Sequence, residues 1–546
     1  MVATPLATPL ATSPTRAARF AALANQRFDV LIIGGGITGC GIARDAALRG
    51  LSVALVEKDD FASGTSSRSS RLVHGGLRYL ENGYLHLVFE SSAERRRLLQ
   101  LAPHLVRPLQ FTWPVYEGDR IPRWKLEAGL TLYDALSLFR NVARHKRLSR
   151  TFVLEDEPKL NPDGLVGGAR YYDAATNDAR LTLANALGAS QAGAVVLNHA
   201  RVTELLFEGG LVAGATVLDA FSDRVTHVRA SVVVNATGPW SDDLRGMDEG
   251  AIPAVRGSKG VHIAVARERV GNNYALTLTS PRDGRVFFVL PADSQAIIGT
   301  TDTYTSATPD DVRPSNEDVR YLLDSANAYF AAARLTTNDV MSAWAGIRPL
   351  LPSAGVTPGG ASREHAITSS AHGLLSITGG KLTTSRVMAA DMMKDVLHRL
   401  NRQRGPDVAK STPVFGGDFS SLNDLIAKAV VAVRDIRLAT HLVSAYGSKW
   451  TDVWAMICAP GGRPVVVNGL PYTIGELRYC KEHEMALTFA DLFIRRTHLA
   501  FETRDHGLDA AKYSADALGW SGEAQRAALA AYEKDVTRIF SINAND

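Results

Sequence analysis

The sequence has few cysteines, little net charge and no long apolar run, and each shortage excludes a class of protein. Its 546 residues include only Cys40, Cys458 and Cys480, whose spacing fits neither a disulfide framework nor a zinc site. The 60 Lys and Arg against 56 Asp and Glu give a net charge of +4, which lacks the basic excess of a dedicated nucleic-acid binder. No apolar run reaches the roughly 18 residues of a transmembrane helix. We therefore expect a globular chain in a reducing compartment, with no metal site and no nucleic-acid partner.

The first 26 residues contain a short ATPL duplication and no acidic residue, with Arg16 and Arg19 towards their end. This composition predicts a disordered tail over residues 1–26. An acid-poor, arginine-bearing start is also typical of an organelle transit peptide, and that alternative stays open. No compact apolar segment precedes a small-residue cleavage site, so secretion is not expected.

A glycine-rich turn lies between two predicted strands near the start of the folded chain. Residues 28–33 and 51–56 are apolar and β-branched, which is typical of buried parallel strands. The glycines between them have the G-x-G-x-x-G spacing and open a predicted helix. Such a turn brings helix N–H groups to a pyrophosphate, and an acid after the second strand accepts hydrogen bonds from ribose hydroxyls. The predicted dinucleotide contacts are Gly34, Gly35, Gly36, Ile37, Thr38, Gly39 and Glu57.

Two later turns favour FAD over NAD as this dinucleotide. Residues 232–238 form a predicted strand that runs into small residues, and residues 377–384 contain a second Gly-rich turn between a strand and a helix. A nicotinamide enzyme needs only the first glycine turn, whereas a flavin cofactor needs further contacts along its length. The additional candidate cofactor contacts are Ser66, Ser67, Ser70, His74, Ala236, Thr237, Gly238, Gly379, Gly380, Lys381, Leu382 and Thr383.

The remaining pattern predicts three structural units. Alternating apolar and polar residues with turns over 195–234 and 255–305 indicate antiparallel strands, and apolar residues recur at helical spacing after residue 419. The predicted fold class is α/β, with a Rossmann-like FAD-binding domain interleaved with an antiparallel-sheet substrate domain, followed by a C-terminal helical domain. The predicted boundaries are about 27–120, 170–250 and 345–400 for the FAD-binding domain, about 120–170 and 250–345 for the substrate or cap domain, 401–418 for a linker and 419–546 for the helical domain. The predicted C-terminal helices cover 421–446, 476–500, 506–518 and 522–540.

An ordered set of motifs makes the sequence similar to one flavoenzyme family. The motifs are SGTSSRSSRLVHGGLRYLE (63–81), RGSKGVHI (256–263), IIGTTDT (297–303), WAGIRPLL (344–351), SREHAI (362–367), ITGGKLTT (377–384) and EMALTFADLFIRRT (484–497). Together with the first glycine turn they closely resemble the FAD-dependent, quinone-linked glycerol-3-phosphate dehydrogenases. The resemblance covers roughly residues 27–540.

The resemblance implies a reaction, a cofactor and partners. The implied reaction is oxidation of sn-glycerol 3-phosphate to dihydroxyacetone phosphate by FAD, with electrons passed to a membrane quinone. It also implies peripheral contact with lipid at the cytoplasmic face of the cell membrane, or a mitochondrial or other organelle location if residues 1–26 are a transit peptide. The helical domain has three open roles, which are homodimer formation, membrane docking and support of a lid.

The implied chemistry needs a cation for the phosphate, a base for the C2 hydroxyl proton and a stabiliser of negative charge. Bidentate guanidinium groups suit phosphate best, and Arg348 and Arg363 both follow or flank turns. The candidate bases are two histidines beside glycines, because a neutral imidazole accepts protons near pH 7. The full set of candidate catalytic residues is His74, Arg78, Tyr79, His262, Arg348, Arg363 and Lys381.

Residues 120–150 combine aromatic and aliphatic bulk with a basic end. This combination is typical of helices that lie in a membrane surface, although a helix packed in the core with a solvated basic end has the same composition. Two other functions remain open. The chain could be an FAD oxidase of the same fold that uses oxygen, or a non-catalytic FAD-binding redox sensor.

Overall fold

The computed structural model describes residues 15–77, 80, 83–138, 141–248, 254–351 and 363–543. The strands are β1 (Arg27–Ile33), β2 (Val53–Val56), β3 (Leu72–Val73), β4 (Val106–Tyr116), β5 (Lys146–Leu148), β6 (Leu165–Thr176), β7 (Val195–Leu197), β8 (Ala200–Glu208), β9 (Leu211–Asp219), β10 (Val225–Asn235), β11 (Arg256–Ala266), β12 (Ala275–Thr279), β13 (Val286–Ala292), β14 (Gln295–Gly299), β15 (Thr303–Tyr304), β16 (Val340–Leu350), β17 (His365–Ser369) and β18 (Leu375–Gly379).

The helices are α1 (Arg16–Asn25), α2 (Ile37–Leu48), α3 (Leu85–Leu101), α4 (Arg123–Leu136), α5 (Arg150–Asp156), α6 (Asp178–Gln191), α7 (Ser241–Arg245), α8 (Arg267–Val270), α9 (Asn316–Asn327), α10 (Ser385–Arg399), α11 (Leu422–Val433), α12 (Ile436–Tyr446), α13 (Trp450–Cys458), α14 (Ile474–His483), α15 (Leu499–Glu502), α16 (Leu508–Ser514) and α17 (Gly522–Phe540). A π-helical turn covers Asp491–Arg496. Every helix of the described segments is too short or too polar to cross a membrane.

The first sheet has eight strands, and its central part is parallel. Six strands run in the order β17-β18-β10-β1-β2-β7, with β9 paired to β10 and β8 paired to β9. Ile33 pairs with both Val56 and Asn235, so β1, β2 and β10 end at the same edge. Parallel sheets place their ligand sites at this carboxyl edge. The predicted meander over 195–234 is antiparallel only from β8 onwards, because β7 follows helix α6 and pairs in parallel with β2.

The second sheet has ten strands in the order β15-β11-β14-β13-β12-β4-β6-β3, with β16 on β11 and β5 on β6. It is mostly antiparallel, as predicted, although β12 pairs in parallel with β4. Four strands of this sheet cross the predicted domain boundaries, because β3 and the end of β6 also lie inside ranges predicted for the FAD-binding domain. Strand β4 lies inside 27–120 and most of β16's second half lies inside 345–400, yet both belong to this sheet. Long ladders place them there, since β4 pairs with β6 and β16 pairs with β11 along almost their whole lengths.

The N-terminal segment is helical where a tail was expected. Residues 16–25 form α1, and Phe20 and Leu23 on this helix are buried in the core beneath the first sheet. The Arg16 guanidinium donates to the backbone carbonyls of Asn198 and His199 at 2.8 and 2.9 Å. The prediction of disorder is therefore wrong for residues 16–25, because an apolar face and paired arginines anchor them. Residues 1–14 lie outside the described residues.

The C-terminal domain is helical, as predicted, and its last helix covers 522–540 as expected, but the other predicted helices are divided or shorter. The predicted helix over 421–446 is two helices, because Arg434 adopts a left-handed φ of 61° and Asp435 caps the second one. The predicted helix over 476–500 ends at His483, and Met485 has a φ of 58°. The apolar core of this domain is continuous with one face of the second sheet.

Buried ion pairs join this domain to the first sheet. Asp60 follows β2, is fully buried and pairs with Arg495 and Arg496 at 2.6 and 2.7 Å. Arg180 on α6 binds both carboxylate oxygens of Glu484 at 2.9 and 2.7 Å. Three of these five residues belong to the 484–497 motif, and Asp60 and Arg180 belong to segments of the FAD-binding domain, so the motif serves to attach the helical domain.

Candidate active site

A cavity of about 910 Å³ lies between the carboxyl edge of the first sheet and one face of the second. Most of the predicted site residues line it, although they come from distant parts of the chain. The predicted residues along its wall are Gly34, Gly36, Ile37, Thr38, Glu57, Ser66, Ser70, His74, Ala236, Thr237, Gly238, His262, Arg348, Arg363, Gly379, Gly380, Lys381, Leu382 and Thr383. Gly35, Gly39 and the buried Ser67 do not line it, and Arg78 and Tyr79 lie outside the described residues.

The glycine turn after β1 brings bare backbone to the cavity. Gly34 has a φ of +112°, and a Cβ there would lie 2.6 Å from the Ala236 carbonyl oxygen. A Cβ at Gly39 would collide with the Gly34 carbonyl oxygen. Gly36 is different, because its nearest neighbour would be the Ser66 hydroxyl at 3.4 Å and it caps the N-terminus of α2. Gly34 and Gly39 thus close the strand–helix turn, and Gly36 leaves space for a ligand.

Glu57 stands at the end of β2 with its carboxylate held in place. One oxygen accepts the Gly35 N–H at 2.6 Å and the other accepts the Asp59 N–H at 2.9 Å. Burial, with the nearby Asp59 carboxylate, raises the pKa of Glu57 to about 7. A carboxyl oxygen has two lone pairs, so each can still accept a ligand hydroxyl.

A cluster of cations occupies the far end of the cavity. Arg348 on β16 and Arg363 lie 3.2 and 3.4 Å from opposite oxygens of Asp302. Ser258 donates a further hydrogen bond of 2.5 Å to Asp302, which fixes the carboxylate between the two arginines. Gly260 makes room for this arrangement, because a Cβ there would collide with the Arg348 guanidinium. Two guanidinium groups are thereby oriented towards the same volume.

His262 lies on β11 in the same cavity and is only 2% exposed. Its Nε2 lies 2.8 Å from the Ser70 hydroxyl, and its ring stacks on Trp344 with centroids 5.5 Å apart. Burial, with the charges of Arg348 and Arg71, lowers the pKa of His262 to about 3. The imidazole is therefore neutral at pH 7 and has a fixed orientation.

His74 and Lys381 face the cavity from two adjoining loops. The Thr383 hydroxyl accepts the His74 backbone N–H at 3.2 Å, which joins the 74–76 loop to the second glycine turn. Burial lowers the pKa of His74 to about 4, with Lys381 and Arg363 contributing in the same direction. Burial also lowers the pKa of Lys381 to about 8. Both histidines are thus neutral bases at pH 7, and both remain candidates.

Comparisons with known proteins agree with this arrangement. The sequence profile of the family described as FAD dependent oxidoreductase matches residues 29–386, and that of the C-terminal domain of alpha-glycerophosphate oxidase matches residues 408–525. The chain is 39% identical to glycerol-3-phosphate dehydrogenase 2 of Mycobacterium tuberculosis, over 93% of this chain and 87% of that protein. The chain belongs to the glycerol-3-phosphate dehydrogenase family of FAD-dependent oxidoreductases.

Other members of this family show similar agreement. The mitochondrial glycerol-3-phosphate dehydrogenase of Mus musculus is 39% identical over 89% of this chain and 70% of that protein. The crystal structure of glycerol-3-phosphate dehydrogenase from Bacillus halodurans complexed with FAD has a TM-score of 0.80 and 31% identity, and the match covers 97% of this chain and 98% of that one. The predicted family and fold class are confirmed.

FAD is the cofactor of this family, and the cavity fits it. The space left at Gly36 and the free end of α2 suit a pyrophosphate, and Glu57 suits the ribose. Gly379 and Gly380 have φ values of +77° and +78°, and side chains there would collide with Glu364 and Met388. This second glycine turn presents backbone to the cavity wall, and it would help to hold the flavin end of the dinucleotide.

The sequence analysis missed two carboxylates that hold other side chains in place in the wall of this cavity. Asp173 on β6 accepts hydrogen bonds from the Gly75 N–H at 3.0 Å and the Tyr133 hydroxyl at 2.7 Å, and it also pairs with Arg95. Asp302 is a second case, because its motif was recognised without its role between the arginines. Single carboxylates without local spacing give no sequence signal. Gly75 gave the nearest clue, since a side chain there would collide with Tyr133.

Proposed function

We propose that this protein oxidises sn-glycerol 3-phosphate to dihydroxyacetone phosphate with FAD and passes the electrons to a membrane quinone. The assignment of this substrate rests on one observation, which is that Arg348 and Arg363 line the same cavity as the neutral His262. The names of the relatives, which are glycerol-3-phosphate dehydrogenases, support the same substrate.

The phosphate of the substrate is assigned to the two arginines. Guanidinium groups bind phosphate oxygens in pairs and stay charged at any physiological pH. Asp302 already holds both guanidinium groups, which lie 3.2 and 3.4 Å from its two carboxylate oxygens. Little side-chain entropy is therefore lost when phosphate binds. A phosphate fixed at this end directs the C2 carbon towards the glycine turns.

The C2 hydroxyl proton is assigned to one of the two neutral imidazoles, His262 or His74. Ser70 orients His262 through the 2.8 Å contact at Nε2. Lys381, whose pKa is about 8, is mostly protonated at pH 7 and stabilises negative charge that develops on the C2 oxygen. When bound, FAD supplies the two-electron acceptor for the hydride that leaves C2.

The quinone acceptor is supported by an apolar arm of the same cavity. Its wall includes Phe111, Trp113 and Leu126, and such a surface suits an isoprenoid quinone better than a polar acceptor. Helix α4 supplies part of this wall and also carries Trp124 on its outer side, with 71% of that residue exposed. Nearby exposed apolar residues extend the outer surface, and we assign it to contact with lipid at the cytoplasmic face of a membrane.

The test is anaerobic addition of glycerol 3-phosphate to the FAD-loaded protein. Loss of the flavin absorbance near 450 nm is expected, followed by its return on addition of a soluble quinone analogue. An unchanged spectrum would refute glycerol 3-phosphate as the substrate and would favour the redox-sensor function.

An oxygen-using oxidase is the second candidate, because the C-terminal profile that matches is named for alpha-glycerophosphate oxidase. The reduced protein separates the two candidates. Rapid reoxidation by air with stoichiometric hydrogen peroxide, and slow reoxidation by the quinone analogue, would favour the oxidase.

A further inference from the structure

A second cavity of about 240 Å³ lies away from the proposed active site, between the second sheet and the C-terminal helical domain. The start of β4, the end of β6 and the start of α6 form one side, and helices of the C-terminal domain form the other. The two cavities share no lining residue in the described part of the chain. The proposed reaction makes no use of this second cavity.

Its wall contains guanidinium groups with unused donors. Within the described part of the chain, the buried Nη2 atom of Arg107 has no hydrogen-bond partner. Burial lowers the pKa of Arg107, and no neighbouring acid offsets this. Arg180 donates from both Nη atoms to Glu484, and its buried Nε has no partner among the described residues. A buried donor without a partner is costly, so an anion in this cavity would be stabilised by both groups.

A histidine in the same wall offers an acceptor rather than a donor. His104 is 2% exposed, and burial, followed by the charges of Arg180 and Arg107, lowers its pKa to about 3. The neutral ring has one N–H, which it donates to the Phe415 backbone. Its Nδ1 is buried, has no partner among the described residues and must therefore be an acceptor. The Thr176 hydroxyl is also buried and unpartnered in this wall.

We propose that this second cavity binds a phosphate group that carries a hydroxyl, either as hydrogen phosphate or as the singly protonated form of a phosphomonoester. The anionic oxygens would take the Arg107 and Arg180 donors, and the P–OH group would donate to His104 Nδ1. Carboxylate and sulfate have no such hydroxyl at pH 7, so they match the donors alone. These contacts come from β4, β6, α6 and the segment before β4, and the helical domain closes the other side of the cavity.

The test measures binding of inorganic phosphate to the FAD-loaded full chain by isothermal titration calorimetry at pH 7. An Arg348→Gln background weakens phosphate binding at the proposed active site, and the change caused by a substitution in the second cavity is then read out whether or not the proposed reaction is correct. We expect Arg107→Gln in this background to weaken the remaining binding by about tenfold or more. Arg320→Gln, which removes an exposed arginine on α9, is the matched control and should have no effect.

A second variant and other anions keep the test decisive. Thr176→Val keeps the side-chain volume and should also weaken phosphate binding, and sulfate should bind less tightly than phosphate. Glycerol 2-phosphate distinguishes a free phosphate ligand from a phosphomonoester, and binding of either supports the proposal. Absence of phosphate binding, or binding that both Arg107→Gln and Thr176→Val leave unchanged, would overturn it.

Discussion

Replacement of Asp60 by Asn is expected to destabilise the attachment of the helical domain to the FAD-binding sheet. Asp60 accepts hydrogen bonds from Arg495 at 2.6 Å, from Arg496 at 2.7 and 3.0 Å and from the Asn198 amide at 2.8 Å. Burial alone raises the pKa of Asp60, but the Arg496 and Arg495 charges outweigh it and hold that pKa below its usual value. The carboxylate is therefore charged throughout the neutral range. Asn has the same shape without the charge.

The size of the effect follows from the burial of every partner. Removal of one member of a buried ion pair costs about 3–5 kcal/mol, because the remaining charges stay buried. At roughly 2 °C per kcal/mol for large unfolding units, the melting temperature should fall by about 6–10 °C. Asp29→Asn is the control, because its 3.0 Å pair with Arg402 is partly exposed and such pairs contribute about 0–1 kcal/mol.

The assay follows unfolding by circular dichroism and the release of FAD by its fluorescence, at pH 7 and again at a series of pH values below 3.8. A depressed carboxyl pKa contributes stability that is complete above the unfolded pKa of 3.8 and is lost as the pH falls through the folded value. The two proteins should therefore converge on acidification. A fall in melting temperature for Asp60→Asn that is no larger than the fall for Asp29→Asn would refute the reasoning.

Three further predictions concern the active site and the outer surface. Arg348→Ala should raise KM for glycerol 3-phosphate and so lower kcat/KM roughly 10- to 150-fold, which corresponds to the free energy of one charged hydrogen bond. The FAD content should not change, and an equal loss of FAD would make the residue structural. Arg320→Ala is the control. His262 binds its proton less readily when folded than when unfolded, so wild-type stability should fall as the pH drops from 6.5 towards 3. His262→Gln should reduce that fall in thermal denaturation, and an unchanged pH dependence would contradict the assigned pKa. Trp124→Glu should reduce co-sedimentation with anionic vesicles several-fold, whereas Val431→Glu, at an exposed site of the helical domain, should not; equal losses would count against the assigned surface.

The nucleotide-binding unit was predictable because its parts are contiguous. The strands predicted at 28–33 and 51–56 correspond to β1 and β2, and the helix between them corresponds to α2. Buried parallel strands are apolar along their whole length, so their positions are visible locally. Strand β4 and residues 345–350 of β16 were assigned to the wrong domain because their partners, β6 and β11, lie far away in the sequence. Nothing local specifies that pairing.

The residues of the candidate site were likewise predictable only where they stand in local motifs. His262, Arg348 and Arg363 were found because they stand in motifs beside turns, and the structure places all three in one cavity. Asp173 was not found, since its partners Arg95 and Tyr133 lie on other elements and meet it only after folding. A carboxylate that orients other residues leaves no spacing rule in the sequence.

The interleaving of the two sheets has a consequence for synthesis on the ribosome. Strand β1 is made early, but its neighbour β10 ends at Asn235 and β18 ends only at Gly379, so an open strand edge waits while the intervening chain emerges. Unpaired edges promote aggregation. Arg495 and Arg496 arrive later still and close on Asp60, which was translated near the start. A chain cut before residue 379 therefore lacks the second glycine turn, and one cut before residue 495 leaves Asp60 without its arginine partners. The cofactor site and the attachment of the helical domain are thus completed at different stages of synthesis.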